Sequence, residues 1–173
     1  MIEFFYSFRI GVFIIETIIR ADLSNPQHAE AIVFLLNEYA QDIMGGGEAL
    51  SPYVQQNLVH ELQKRSGVHV VLAFVNNQPA GLANCFEGFS TFACKPLLNI
   101  HDITVAPVYR GRGLAKKIMQ AVETIARELG CCKVTLEVLE GNTVAQALYK
   151  ACGYAGYSLD PQMGQAMFWQ KKC

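Results

Sequence analysis

Between Val105 and Ala115 the chain reads VAPVYRGRGLA, and those residue types are the ones a phosphate site needs. Two glycines let the backbone turn consecutive N–H groups the same way. A helical pattern follows at once, so those groups point along a helix N-terminus, where the peptide dipoles favour an anion. The same letters also suit an ordinary glycine loop with a helix cap. Two nucleotide motifs can be checked and fail: G-x-G-x-x-G needs glycine where Lys116 stands, and a P-loop needs G-x-x-x-x-G-K followed by Ser or Thr.

The elements that must position this junction follow from periodicity. Leu97–Val105, LLNIHDITV, is rich in branched residues and lies between Pro96 and Pro107, which predicts a strand running into the turn. Beyond it Leu114, Ile118, Val122, Ile125 and Leu129 form one helical stripe that Gly130 closes. Lys133–Leu139 reads as a strand, and Asn142 opens a helix to Cys152. Upstream, Ile14–Arg20 reads as a first strand; a helix follows the cap formers Asp22 to Pro26, with Ala29, Ile32, Val33, Leu35, Leu36 and Tyr39 at helical spacing. Gly45, Gly46 and Gly47 end that helix in a loop that faces a partner or moves, and Ser51 with Pro52 starts a second helix to about Lys64. Val68–Val75 and Ala80–Phe86 form a hairpin about Asn76 to Gln78; Tyr154–Ser158 and Ala166–Gln170 read as two closing strands.

Arg110, Gly113 and Ala115 fill the fixed places of the signature Q/R-x-x-G-x-G/A, and Asn142, Ala145, Leu148, Tyr149, Gly153 and Tyr154 match N-x-x-A-x-x-L-Y-x-x-x-G-F/Y. On those two motifs, in order and separated by a helix and a strand, the chain from about Ile14 onward resembles the GNAT superfamily of acyl-CoA-dependent N-acyltransferases. The resemblance implies a mixed α/β (α+β) fold: a mostly antiparallel twisted sheet of six to seven strands, splayed at the central parallel pair and flanked by four helices. It implies acetyl-CoA as cosubstrate, with the pyrophosphate on the N–H groups of Arg110, Gly111, Arg112, Gly113, Leu114 and Ala115. The pantetheine arm would pair with the backbone at Ile103, Thr104 and Val105. Asn142 would reach the pantetheine or cap its own helix. Tyr149 would protonate the leaving thiolate, and a core tyrosine with a satisfied hydroxyl is the other reading. Where similar enzymes carry a Glu base this chain carries His101, whose imidazole titrates near neutral pH, or which hydrogen-bonds within the sheet. Asp102 would orient it only indirectly unless a bulge intervenes, because strand neighbours face opposite ways. Glu87 and a water chain are the alternatives for the base.

In folds of this kind the acceptor side is built from Asp42, Gly45 to Gly47, Glu48, Phe86, Glu87, Phe89, Phe92, Asp160 and Met163, acids and aromatics that suit a cationic amine with an apolar body. The expected activity is acetyl transfer to the primary amine of a small molecule. A protein N-terminus or lysine as acceptor, and a non-catalytic acyl-CoA-binding domain, are the competing readings.

Composition bounds the rest. A chain of 173 residues, 51% hydrophobic and 17% charged, has the size and apolar content of about one folded domain, read here as residues 13–173. A net charge of −1 supplies no field for a phosphate backbone, so nucleic acid is not the expected partner. The cysteines at 85, 94, 131, 132, 152 and 173 show no CxxC and no zinc spacing, which points to free thiols in a reducing cytoplasm and no metal. Glu3, Arg9 and Glu16 interrupt the apolar start of the chain and argue against a membrane span or export signal. Residues 1–12 form an extension that reads as an extra strand, a homodimer contact or a product of start-site choice.

Overall fold

The computed structural model describes residues 3–9, 12–158 and 160–171, and side chains from residue 14 on, other than that of Pro161. Residues up to Leu136 form one compact unit and those from Glu137 a second.

In the first unit, β1 (Glu3–Arg9), β2 (Val12–Arg20), β3 (Val68–Val75), β4 (Gln78–Ser90), β5 (Lys95–Val105) and β6 (Val134–Leu136) make one sheet in chain order. Every neighbouring pair is antiparallel except β5 and β6, which are parallel. Asn76 and Asn77 take positive φ values of 48° and 63°, the twist a two-residue hairpin needs, and so join β3 to β4. Helix α1 (Pro26–Gln41) starts where the Asn25 side chain accepts from the Gln27 N–H at 2.9 Å. Ser51 caps α2 (Pro52–Gln63) in the same way.

Both sheet faces are covered. Ala31, Ile32 and Leu35 of α1 and Leu62 of α2 bury one face with Val70, Leu72 and Leu82. Helix α3 (Leu114–Glu128) lays Leu114, Ile118, Val122 and Ile125 on the other, against Val71, Ala73, Ala83, Cys85, Leu98 and Ile100. The alternation along β3 and β4 sorts residues between the two cores, as a doubly covered sheet requires.

The second unit holds α4 (Thr143–Ala151), capped by Asn142, and a single helical turn at Pro161–Met163. Among the described residues no helix is long and apolar enough to cross a membrane.

Of the readings offered for residues 1–12, the extra strand is the one formed: β1 pairs with β2 from Glu3 opposite Ile18 to Arg9 opposite Val12. Three expectations are corrected. The two closing strands are not formed among the described residues. Gly156, Pro161 and Gly164 leave too few consecutive strand formers, and one backbone bond, Ala166 N–H to the Tyr157 carbonyl, links the two segments. Among the described residues the sheet therefore has six strands where the element order read from the sequence had seven, and the parallel pair lies at its edge rather than its centre. Finally, β6 stops at Leu136, three residues short of the expected end.

Candidate functional site

β5 is paired with β4 along its whole length, but with β6 only from Leu98 opposite Val134 to Ile100 opposite Leu136. From His101 to Val105 its far edge carries no strand among the described residues. That edge leads through one turn of 3₁₀ helix, Pro107–Tyr109, into Gly111, Arg112 and Gly113, all exposed, and on to α3.

Gly111 and Gly113 take φ values of 75° and 81°, and a Cβ at either would meet nothing within 4 Å. The glycines are needed for the left-handed turn rather than for room. What the turn achieves is visible in its donors: from Gly111 to Lys116 no backbone N–H donates to another described residue. The N-terminus of this 15-residue helix has no side-chain cap and no acid in its first turn, while Lys116 stands exposed beside it. Uncapped donors, a positive dipole end and an open front fit a diphosphate.

The side chains around the turn hold it in place. The Arg110 guanidinium donates through Nε to the Val105 carbonyl at 2.9 Å and through Nη2 to Asp42 Oδ2 at 2.9 Å, tying the turn to the end of β5 and to the end of α1. Arg112 lies over the Tyr109 ring and donates to the Val108 carbonyl. The Met44 N–H, then Arg110, hold the Asp42 carboxyl below its ordinary range. The three-glycine loop, read as facing a partner or moving, folds back on this same residue: the N–H groups of Gly45 and Gly47 donate to the Asp42 carbonyl at 2.8 and 3.1 Å.

His101 sits where the β4–β5 register slips, for Asn84 faces Asp102 and Cys85 faces Ile100, leaving His101 as the extra residue of a bulge. The bulge decides its direction. Ile100 and Ile103 pack on the α3 side, whereas the His101 ring meets Phe86 edge-on at 5.6 Å, on the α1/α2 side. Asp102 lies on that side too: its Oδ2 accepts from Asn84 Nδ2 at 3.0 Å, and its charge, after burial, helps push the Tyr39 phenol of α1 up. The bulge named as the exception to strand alternation is therefore present, and it brings Asp102 to the same side as His101.

Glu87 lies elsewhere. Next after Phe86 along β4, it falls on the opposite, α3 side, where its Oε1 accepts from His69 Nε2 at 2.6 Å. Arg20 can only donate, so His69 Nδ1 accepts from it and Nε2 carries the proton. Burial and Asp102 push the Cys85 thiol up to about 12, so it is an inert core residue. Phe89 and Phe92 are exposed at the end of the β4–β5 hairpin.

In the second unit Asn142 Oδ1 accepts from the Ala145 N–H at 3.1 Å, so its side chain caps α4. Tyr149 is buried, its ring 6.3 Å from that of Tyr154. The residues sequence reasoning passed over are Glu38 and Asn84, together with the side on which Asp102 falls. Their one sequence signal is the adjacent polar pair His101 and Asp102, which breaks the alternation of β5.

Residues 29–154 match the model of the Acetyltransferase (GNAT) family. The thialysine N-epsilon-acetyltransferase of Caenorhabditis elegans is 29% identical over 132 residues, 75% of this chain and 78% of that protein. The streptothricin acetyltransferase of Streptomyces lavendulae is 36% identical over 80 residues, 46% of this chain and 42% of that one. Among solved structures, AAC(6')-Iy in complex with the bisubstrate analogue CoA-S-monomethyl-acetylneamine shares the fold with a TM-score of 0.71 at 19% identity, over 91% of this chain and 99% of that one.

Proposed function

From the premise that the chain belongs to the acetyltransferase (GNAT) family and uses acetyl-CoA as cosubstrate, we propose that it acetylates a primary amine of a small molecule, with both units acting as one catalytic domain. One observation carries the assignment of the site: the unbroken run of undonated N–H groups from Gly111 to Lys116 at the uncapped start of α3, beside the open edge of β5. Bound there, acetyl-CoA supplies an acetyl group on a thioester, activated toward an amine.

The chain's own residues then do four things. The N–H groups of the turn hold the pyrophosphate, in competition with no side-chain cap. The backbone of Ile103, Thr104 and Val105 holds the pantetheine as an added strand would be held. His101 takes the proton that the amine nitrogen must lose as its new bond to the acetyl carbon forms. Tyr149, by its place in the second motif, gives a proton to the sulfur as the carbon–sulfur bond breaks. Asn142 acts through its helix cap, which fixes where α4 begins. Glu87 drops out as the alternative base because it is bound to His69 on the other face of the sheet. A reducing, cytoplasmic setting belongs to the same reading, supported by free thiols at Cys85, Cys94, Cys131 and Cys132.

Two relatives bear the names of small-molecule acceptors, thialysine and streptothricin, which supports a small amine over a protein terminus. The test is thiol release from acetyl-CoA with a panel of small amines and of peptides with free N-termini. Turnover with small amines alone is the expected result. Turnover confined to peptides overturns the acceptor assignment, and tight acetyl-CoA binding without turnover overturns the enzymatic one.

A further inference from the structure

Helix α1 continues its core-facing stripe past Leu35 with the half-buried Glu38 and Tyr39, so the stripe that is apolar at Ala31 and Ile32 turns polar where α1 passes over β4 and β5. Beneath it β4 presents Asn84, only 3% exposed, and the bulge turns both His101 and Asp102 to this same face. Two acceptor atoms are buried without a hydrogen-bond partner among the described residues: Oδ1 of Asn84 on β4, and Oε2 of Glu38, which precedes Tyr39, the α1 residue whose phenol feels the Asp102 charge. Asn84 is held in place from its other end, since its Nδ2 donates to Asp102 Oδ2. Orphaned buried acceptors are costly, and all the unsatisfied capacity here is for donors. Two carboxylates, an amide oxygen and an adjacent aromatic ring make a binding place for an alkylammonium ion, which brings three N–H donors and a positive charge.

Resting on the function proposed above, we propose that Glu38, Asn84 and Asp102 form a subsite for a second ammonium group of the acceptor, one that is not acetylated. The chemistry separates the two nitrogens. An amine among carboxylates is held protonated and has no lone pair, so the nitrogen bound by Asp102 does not react. The reacting nitrogen is the one next to His101, an exposed neighbour on the same face of the sheet that accepts its proton. The acceptor class is therefore a small molecule with at least two amino groups. Glu38, Asn84 and Asp102 are specificity and positioning residues, and no proton or acetyl group passes through them.

The experiment compares straight-chain diamines with the monoamines of the same carbon count as acceptors for the full-length protein. The parent should show kcat/KM at least about tenfold higher for diamines, expressed mainly in KM, as expected for a buried charge pair that binds without taking part in the chemistry. Asp102→Asn, which keeps size and loses charge, should lower kcat/KM for diamines by at least about tenfold more than for monoamines. Glu38→Gln should do the same, as a check on a change confined to the bulge. Acetyl-CoA affinity and the melting temperature of each variant separate a specificity effect from unfolding. Parental turnover without diamine preference, or variants that lose diamines and monoamines equally, overturns the subsite alone. Absence of turnover with every amine overturns the enzymatic reading and the subsite with it.

Discussion

In the proposed mechanism His101 and Tyr149 carry the two proton transfers, and each has a distinct kinetic signature. Replacing His101 by Ala should lower kcat most near neutral pH and least at high pH, where the acceptor amine is already neutral and needs no base. A pH–rate profile checks this; an acidic limb unchanged from the parent would remove His101 from the mechanism in favour of a water chain. Tyr149→Phe should lower kcat by roughly 10² or more with acetyl-CoA affinity unchanged, the range for loss of a general acid. At the cradle the controlling quantity is backbone conformation. Gly113→Ala meets no neighbouring atom, yet its φ of 81° costs an L residue about 1–2 kcal/mol, and the turn that aligns the donors distorts with it. Calorimetric titration should show acetyl-CoA binding weakened by about tenfold in Gly113→Ala, against little change in Arg112→Ala, whose side chain touches only Tyr109 and Val108. The turn from Arg110 to Ala115 was legible in the sequence because two glycines ahead of a helical stripe encode it. Asn84 and Glu38 were not, because a buried Asn on a strand and a Glu on a helix show no pattern in the chain until the fold buries their acceptor atoms.

Helix α1, β5 and the cradle meet at one ion pair. Arg110 joins the end of β5 to Asp42 just past α1, and the same Asp42 anchors the three-glycine loop. A carboxyl held below its ordinary range contributes stability that is full above the unfolded-state value and is lost as pH falls through the folded one. The parent should therefore melt higher than Asp42→Asn at neutral pH, by an amount that shrinks toward zero below the ordinary aspartate value of about 3.9. Thermal melts over a pH series read this directly, and a difference that grows on acidification would contradict it. Close packing governs the junction of β4 and α3. A Cβ at Gly81 would stand 2.7 Å from Ile118 Cδ1 and 3.0 Å from the Thr104 carbonyl, so Gly81→Ala should destabilise the fold by roughly 1–3 kcal/mol, as over-packing does. Denaturant titration checks it. Helices α1 to α4 were readable as stripes with caps, since a 3.6-residue period is local. The bulge in β5 was not, since it is a slip between two strands and exists only once they pair.

At the scale of the whole chain, β1 completes the sheet by covering β2, whose other side is already held by β3. Removing residues 1–11 should leave acetyl-CoA binding intact, because the cradle is at the far end of the sheet order, while lowering the melting temperature and promoting self-association through the bared β2 edge. Calorimetry and light scattering on the truncated chain would show both; loss of acetyl-CoA binding would tie the first strand to the site. What the sequence by itself determined is the local and the motif-bound: helix stripes and caps, the Asn76–Asn77 hairpin, the parallel pairing that β5, α3 and β6 demand, and the two spaced motifs that identify the family. The tertiary structure alone decided the number of strands, the place of the first residues in the sheet, and the faces on which His101, Asp102 and Glu87 fall. The physical reason is the same in each case. Period and capping are written within a few residues of the chain, whereas edge pairing, register slips and buried polar partners are set by segments far apart in sequence, whose contacts have no energy until the fold brings them together.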